Sequence, residues 1–554
     1  MPLIARQHRY RLRASAWEGL LPPALGGLAL ALAFPPWRIW PLIFLAWIPL
    51  WVTLAREADG PRKPWPDLEG STCPPRLRYS WRRPFLQGWL MGVICFLIML
   101  YWLLALPCEE MTIPGLMIPS LLLIGFYLGL FFGLAALCSS LLSRWSHWPL
   151  LAVVPIVTAL FEFVRSLGPL GFPWGAPAYA LARVTPLLQT GALVGFWGLN
   201  FLILVVGSLI AAGIRRQRWG LLAAVALVAV LWAYGEIVLA RHPASSGDAQ
   251  RSPLRVLVAQ PDVRREIKWK PEKKSAVTRM VLEHGRRAAR RGQEAGGFDL
   301  FVWPETVLPA RLFNDAPLYQ QVLAFVDSLR QPVLLGTQEG YWVHVLGKRQ
   351  YICNNSAVLL RPGGGHSPIY RKMRLVPFSE RMPLQKLAPW LGQLDFGQSN
   401  FYPGHGPVLA EIGDVRIGCL ICFESAFPDL AHAYVQLGAN LLVVITNDFW
   451  FGRTAGPMQH AEMSILRAVE NRIPVVRCAN TGISFLVDPW GRVTNETNIF
   501  TQQDFVGTVA VGAGSFAARH PAWAVKLLAL GLLLVMVASA RRWKQKMESC
   551  DVGR

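Results

Sequence analysis

The chain has 554 residues, of which 53% are hydrophobic and only 16% charged, with a mean hydropathy of +0.33. This excludes an ordinary soluble protein of that size: long stretches between residues 20 and 239 carry almost no charge, while 254–512 has an ordinary share, the pattern of a membrane protein with one large soluble domain. Nor does the net charge of +21 mark a nucleic-acid binder, because the arginines sit in short loops between apolar runs and not on one groove-facing surface.

Apolar runs long enough to span predict seven membrane helices, near 18–34, 37–55, 85–106, 115–142, 149–165, 190–213 and 219–239. An eighth follows near 521–540. The first two are separated only by Pro35-Pro36, where a helix must break. Ala31-Leu32-Ala33 has the spacing of a signal-peptide cleavage site, but the apolar pattern resumes at once after Pro36, so the run reads as a span. Arg6, Arg9, Arg11 and Arg13 precede the first span, and Arg56, Arg62, Lys63, Arg76, Arg78, Arg82 and Arg83 follow the second. Arg144, then Arg215, Arg216 and Arg218, then Arg541, Arg542, Lys544 and Lys546 follow the fourth, sixth and eighth. The loops after the third and fifth spans are nearly neutral. Positive-inside alternation places both termini in the cytoplasm and the soluble domain outside. The expected division is a membrane bundle over 1–241, a soluble domain over 242–519, and a last span with a tail over 520–554. Glu162 and Arg165, costly at the end of a span, read as an internal ion pair, with a lipid headgroup as the alternative partner. The basic loop from Arg56 to Arg83 has no functional reading.

From Leu254 onward, short β-rich runs alternate with amphipathic helices. Strands are expected at Leu254–Gln260, Leu300–Trp303, Pro332–Thr337, Ser356–Leu360, Val415–Cys422 and Leu441–Thr446, and helices at Ala276–Arg291, Leu318–Leu329 and His460–Asn471. Such alternation gives a layered α/β domain, and no internal repeat is evident.

Three reactive groups stand at the ends of these strands: Glu305 after Trp303-Pro304, Lys372 in Arg371-Lys372-Met373, and Cys422 after Cys419-Leu420-Ile421. Together they form a coherent acyl-transfer set, in which a carboxylate takes the thiol proton, the thiolate attacks a carbonyl, and an ammonium meets the oxyanion. Each also has a plainer reading, as a helix cap, a solvated charge and a packed core thiol. Cys419 and Cys422 have redox spacing, but they end a strand and do not open a helix after one. Strand alternation places residues three apart on opposite faces, so only one of the two thiols is expected to reach the site.

The surrounding residues resemble the carbon–nitrogen hydrolase (nitrilase) superfamily at Trp303-Pro304-Glu305, Arg371-Lys372 and Ile421-Cys422-Phe423-Glu424. Over essentially the whole chain the resemblance is to the apolipoprotein N-acyltransferase family. The segments carrying it include Phe34-Pro35-Pro36-Trp37, Glu162-Phe163-Val164-Arg165, Gly171-Phe172-Pro173-Trp174 and Gln260-Pro261-Asp262 with Trp269. They continue through Leu375-Val376-Pro377-Phe378 and Asn447-Asp448-Phe449-Trp450-Phe451-Gly452 to Gln459-His460 and Arg477 with Asn480-Thr481-Gly482.

The resemblance implies a nitrilase-like αββα sandwich over a multi-pass helical bundle in the bacterial inner membrane, with the sandwich in the periplasm. It implies transfer of a fatty acyl chain from a phospholipid donor to the free amino group of a diacylglyceryl-cysteine apolipoprotein, by ping-pong through a Cys422 thioester, in a monomer without cofactor or metal. Glu305 is then the base and Lys372 and the Phe423 N–H the oxyanion donors. Glu380 and Glu424 are supports, and Trp174, Trp269, Trp450 and Phe451 the substrate contacts. The chain departs from the family pattern at Ser379-Glu380-Arg381, often Gly-Glu-Phe, and at Phe423, often Tyr.

Two other functions compete with this reading. A membrane-tethered amidase would use the same triad with water, and an idle scaffold would need no intact triad at all. Lipid substrates explain the many spans, because exposing acyl chains to water costs about 0.8 kcal/mol per methylene.

Overall fold

The computed structural model describes residues 19–59, 81–106, 115, 117–146, 148–215, 217–243, 253–345, 348–385, 387–388, 390 and 399–551. Arg6, Arg9, Arg11, Arg13, Arg62, Lys63, Arg76, Arg78 and Arg216 lie outside them.

The membrane half contains α1 (Leu21–Leu32), a short turn Leu42–Leu45, α2 (Ile48–Asp59), α3 (Arg82–Met99), α4 (Met117–Ser146), α5 (Leu150–Val164), α6 (Gly191–Ile214) and α7 (Trp219–Arg241). The long helix α12 (Trp523–Asp551) closes the chain onto α4, α5 and α6. Among the described residues, four helices are long and apolar enough to cross a membrane: α4, α6, α7 and Trp523–Arg541 of α12. The expected first span is cut short. Pro22-Pro23 open α1, the chain breaks at Pro35-Pro36, and the 12 residues between rise only about 18 Å, less than a hydrocarbon core. Glu162 and Arg165 do pair, and the guanidinium also donates to Trp174 O at 2.8 Å.

The soluble half is two six-stranded sheets. The first holds β1 (Leu254–Gln260), β2 (Leu300–Val302), β3 (Val333–Val345), β4 (Lys348–Leu360), β5 (Tyr370–Arg371) and β12 (Gln503–Val509), ordered β12-β1-β2-β3-β4-β5. The second holds β6 (Leu409–Ile412), β7 (Val415–Ile421), β8 (Leu441–Thr446), β9 (Val475–Ala479), β10 (Phe485–Val487) and β11 (Val493–Thr494), ordered β11-β10-β9-β8-β7-β6. The two-residue period of a strand sorts the core. Val256 and Val258 of β1 share a core cluster with Ile417, Cys419 and Val443 of the other sheet. Leu257 and Ala259 instead pack under α8 (Lys274–Glu294) and α9 (Ala316–Leu329). On the outer face of the second sheet lie α10 (Pro428–Gln436) and α11 (Gly456–Asn471). The result is an αββα sandwich.

The two halves meet at α11. The Gln459 amide uses its full bonding capacity there. Its oxygen accepts from the indoles of Trp102 and Trp174 (3.1 and 2.8 Å), and its nitrogen donates to Pro35 O and Met99 O (2.9 and 3.2 Å). Arg38 and Arg183 from the membrane half both reach Glu462, one turn further on.

Candidate active site

Strand β7 ends at Ile421, not at Cys422. Cys422 turns into a left-handed conformation (φ 54°) and opens a 3-10 turn through Ala426. A non-glycine residue there is strained, at a cost of order 1–3 kcal/mol. The conformation is held by Glu424. Its Oε2 accepts from Ile421 N (2.8 Å), and its Oε1 accepts from Tyr370 OH, Met373 N and Arg374 N (2.8, 2.7 and 3.1 Å). One buried carboxylate thus ties the cysteine turn to the segment carrying Lys372.

Lys372 follows β5 and is buried, with Nζ 2.8 Å from Glu380 Oε1 and 3.7 Å from Glu305 Oε1. Glu305, after β2, accepts from Asn355 Nδ2 (2.6 Å) and from Asn447 N (2.8 Å). Asn355 also reaches Glu380 (3.3 Å), so one β4 amide bridges the two carboxylates. Burial opposes the Lys372 ammonium, but Glu380, Cys422 and Glu305 outweigh it and raise its pKa. Burial pushes the Cys422 thiol well up, Glu305 adds to this, and Lys372 opposes it. Burial likewise raises Glu305, against the pull of Lys372. The resting state is therefore a neutral thiol beside a strengthened carboxylate base and a fixed cation.

A second buried set lies on the other side of the sulfur, from β8, β9 and α11. Asp448 accepts from Thr446 Oγ1 (2.8 Å), His460 Nδ1 (2.8 Å) and Arg477 Nη2 (2.9 Å). His460 and Arg477 hold its pKa down to about 2 against burial. Thr446 also reaches the thiol, and Ser425, 3.3 Å from His460 Nε2, donates to Cys422 O at 3.0 Å. Cys422, Asp448 and His460 bring potential metal-ligand atoms within 4.8 Å of one another. Asp448 is nevertheless satisfied by its three side-chain donors.

The aromatic residues divide. Trp174 and Phe451 form a wall with Trp102 and His460, at ring separations of 4.8–5.9 Å. Phe423 packs against Phe172 of the membrane half (5.9 Å). Trp269 and Trp450 are partly exposed and make no ring contact with that wall, and the Arg265 guanidinium lies 3.7 Å from the Trp450 ring centre. Cys419 is buried between the sheets and meets none of the reactive groups by hydrogen bond. Asn355, Tyr370, Thr446 and Lys268 were not singled out from the sequence. The polar Asn354-Asn355 pair, just before the expected strand Ser356–Leu360, is the signal that could have pointed to one of them.

A carbon-nitrogen hydrolase family model matches residues 257–515, and a model of the apolipoprotein N-acyltransferase N-terminal domain matches residues 26–209. A relative named apolipoprotein N-acyltransferase from Geobacter metallireducens is 32% identical, over 91% of this chain and 92% of its own length. Another of that name, from Caulobacter vibrioides, is 31% identical over 96% of both chains. A solved amidase variant from Nesterenkonia sp. AN1 gives a TM-score of 0.34 at 18% identity, over 46% of this chain and 90% of that one.

Proposed function

The chain belongs to the apolipoprotein N-acyltransferase family, and from that membership we propose that it moves a fatty acyl chain from a membrane phospholipid to the N-terminal amine of a diacylglyceryl-cysteine apolipoprotein. The reaction is ping-pong, through a thioester on Cys422, in a monomer whose catalytic half faces the periplasm from the inner membrane. One observation carries the lipid reading: the cysteine turn abuts the membrane half, with Phe423 on Phe172 and Tyr179 OH donating to Ala426 O at 2.7 Å. A hydrolase of small soluble substrates has no need of that wall.

Glu305 takes the proton of the neutral thiol as sulfur attacks the ester carbonyl. The oxyanion meets the Lys372 ammonium and the Phe423 N–H, which lies in the first turn of a 3-10 helix and has no partner within it. Glu305 then returns the proton to the departing glyceryl oxygen, leaving the acyl group on sulfur. In the second half the acceptor amine attacks the thioester, and the same two donors meet the second oxyanion. Glu380 holds Lys372, and Glu424 holds the turn.

The test uses the full-length protein in detergent with labelled phospholipid and no acceptor. Wild type should retain label that neutral hydroxylamine releases, until a diacylated lipopeptide with a free N-terminus is added. Cys422→Ser and Glu305→Gln should accumulate almost no thioester. Lys372→Ala should lose about a hundredfold to a thousandfold in rate, the usual cost of one oxyanion donor. Rapid loss of free fatty acid from labelled wild type without acceptor would make the protein a hydrolase and sink the proposal.

A further inference from the structure

Lys268 is 1% exposed, yet none of the proton transfers above uses it. It ends the short helix Arg265–Lys268, immediately before the exposed Trp269, whose ring lies 5.1 Å from Nζ. Its Nζ donates to Thr306 Oγ1 at 3.2 Å, and Thr306 is the residue after Glu305, held at φ 42°. Among the described residues no carboxylate forms an ion pair with this lysine, whereas Lys372 has two. The charge that acts on it is Glu305 from the loop after β2, backed by Lys372 and Glu380; its own helix carries Arg265 and Glu266. Burial lowers its pKa to about 7, against the opposing pull of Glu305. A buried amine next to the base, next to an aromatic at the surface and without a counter-ion, is placed to gain and lose a proton.

We propose that Lys268 is the second proton acceptor of the amine-dependent half-reaction, linked to the site through Thr306. This rests on the reading that an amine resolves the Cys422 thioester. The balance demands such a group. The acceptor arrives as an ammonium; a C–N bond forms, the C–S bond breaks, and the nitrogen gives up two protons to become an amide. One passes through Glu305 to the departing sulfur. The other has no acceptor in the triad, because Lys372 is held protonated by Glu380. The Lys268 lone pair takes it, giving an ammonium that faces Glu305, and later yields it to water. Hydrolysis leaves no such remainder, since one proton of the attacking water goes to sulfur and the other stays on the acid.

The experiment separates the half-reactions in the full-length protein. Labelled acyl-enzyme is formed first, then its decay with diacylated lipopeptide is followed from pH 6 to pH 9. In wild type the decay should rise through a pKa near 7, below that of a free α-amino group at about 7.7–8.0. With the first half run at pH 9, Lys268→Met should form thioester within about twofold of wild type, because a lysine that is neutral there and a methionine leave Glu305 the same charge environment. Its aminolysis should be slower by roughly five- to tenfold at pH 6, the gap between a pKa near 7 and one of about 7.7–8.0, and approach wild type at pH 9, where the acceptor is already neutral. Lys268→Gln serves if the methionine variant fails to fold. Equal slowing of both halves at every pH would make Lys268 a structural residue, and unchanged aminolysis would remove it from the reaction; either overturns the proposal. So would a wild-type profile rising only at the acceptor's own pKa. Failure of the acyl-transfer reading looks different, since label would then be shed before any acceptor is added.

Discussion

Cys419 and Cys422 are three residues apart and chemically separate, and strand alternation is only part of the reason. Cys419 points into the inter-sheet core with Leu334 and Ala357, whereas Cys422 has left the strand and turned left-handed. Cys422→Ala should abolish transfer. Cys419→Ala should keep most of it, losing roughly 1 kcal/mol of stability from a shaved core. Equal loss in the two variants, read as transfer per folded protein, would favour a shared redox role and refute the separation. Glu305, Lys372 and Cys422 could be picked out in sequence because each stands in a distinctive local context after a strand. Lys268 could not. A lysine in Ile267-Lys268-Trp269-Lys270 reads as one more solvated charge, and only the tertiary placement of Thr306 and Glu305 around it makes it a buried amine. Glu424 was legible as a support, but its four donors come from segments 51 residues apart in the chain, a distance that no local pattern encodes.

Among the elements, the buried strands were the easiest to read, because β8 is apolar up to Thr446 and β1 is apolar but for Arg255 and the closing Gln260. The β3–β4 hairpin runs far past its expected ends, to 13 residues on each strand. Gln338, Glu339, Asn354 and Asn355 interrupt the apolar signal just beyond those ends, with Glu339 and Asn355 in hydrogen bonds, while the ladder continues through Tyr341-Trp342-Val343 and Tyr351-Ile352-Cys353. Strands β9 and β12 carry Arg477 and Asp504 to polar partners, buried Asp448 and buried His284, and these charges interrupted their apolar signal. Helix α11 has the converse property: nearly every residue is buried, on the membrane side as well as the sheet side. Its first turns are therefore a joint. Gln459→Leu should strand two indole N–H groups and two carbonyls, each costing about 1–3 kcal/mol when left unpaired. Thermal unfolding in detergent should move down by several degrees; an unchanged midpoint would mean that the joint bears no load.

At the level of the whole molecule, the loop charges predict an orientation. A reporter fused after Arg241 should be active as alkaline phosphatase and one after Arg541 inactive; activity at the second site alone would invert the topology. Helix α7, which precedes the soluble half, is the least enclosed of the long helices, with 11% of its apolar window buried, whereas α6 is 61% buried at the centre of the bundle. The first two spans were harder to delimit, because proline and not charge punctuates them.

The Gln459 joint also bears on how such a protein is made. Its bonding partners Pro35 and Met99 leave the ribosome 424 and 360 residues ahead of Gln459 itself, and Trp523 of the closing helix, which donates to Leu193 O at 2.9 Å, comes later still. In chain order the membrane platform comes first, the sandwich second and the clamping helix after both. A chain stalled before α11 has already made Glu305, Lys372 and Cys422 but lacks His460, Arg477 and the aromatic seat that Gln459 fastens.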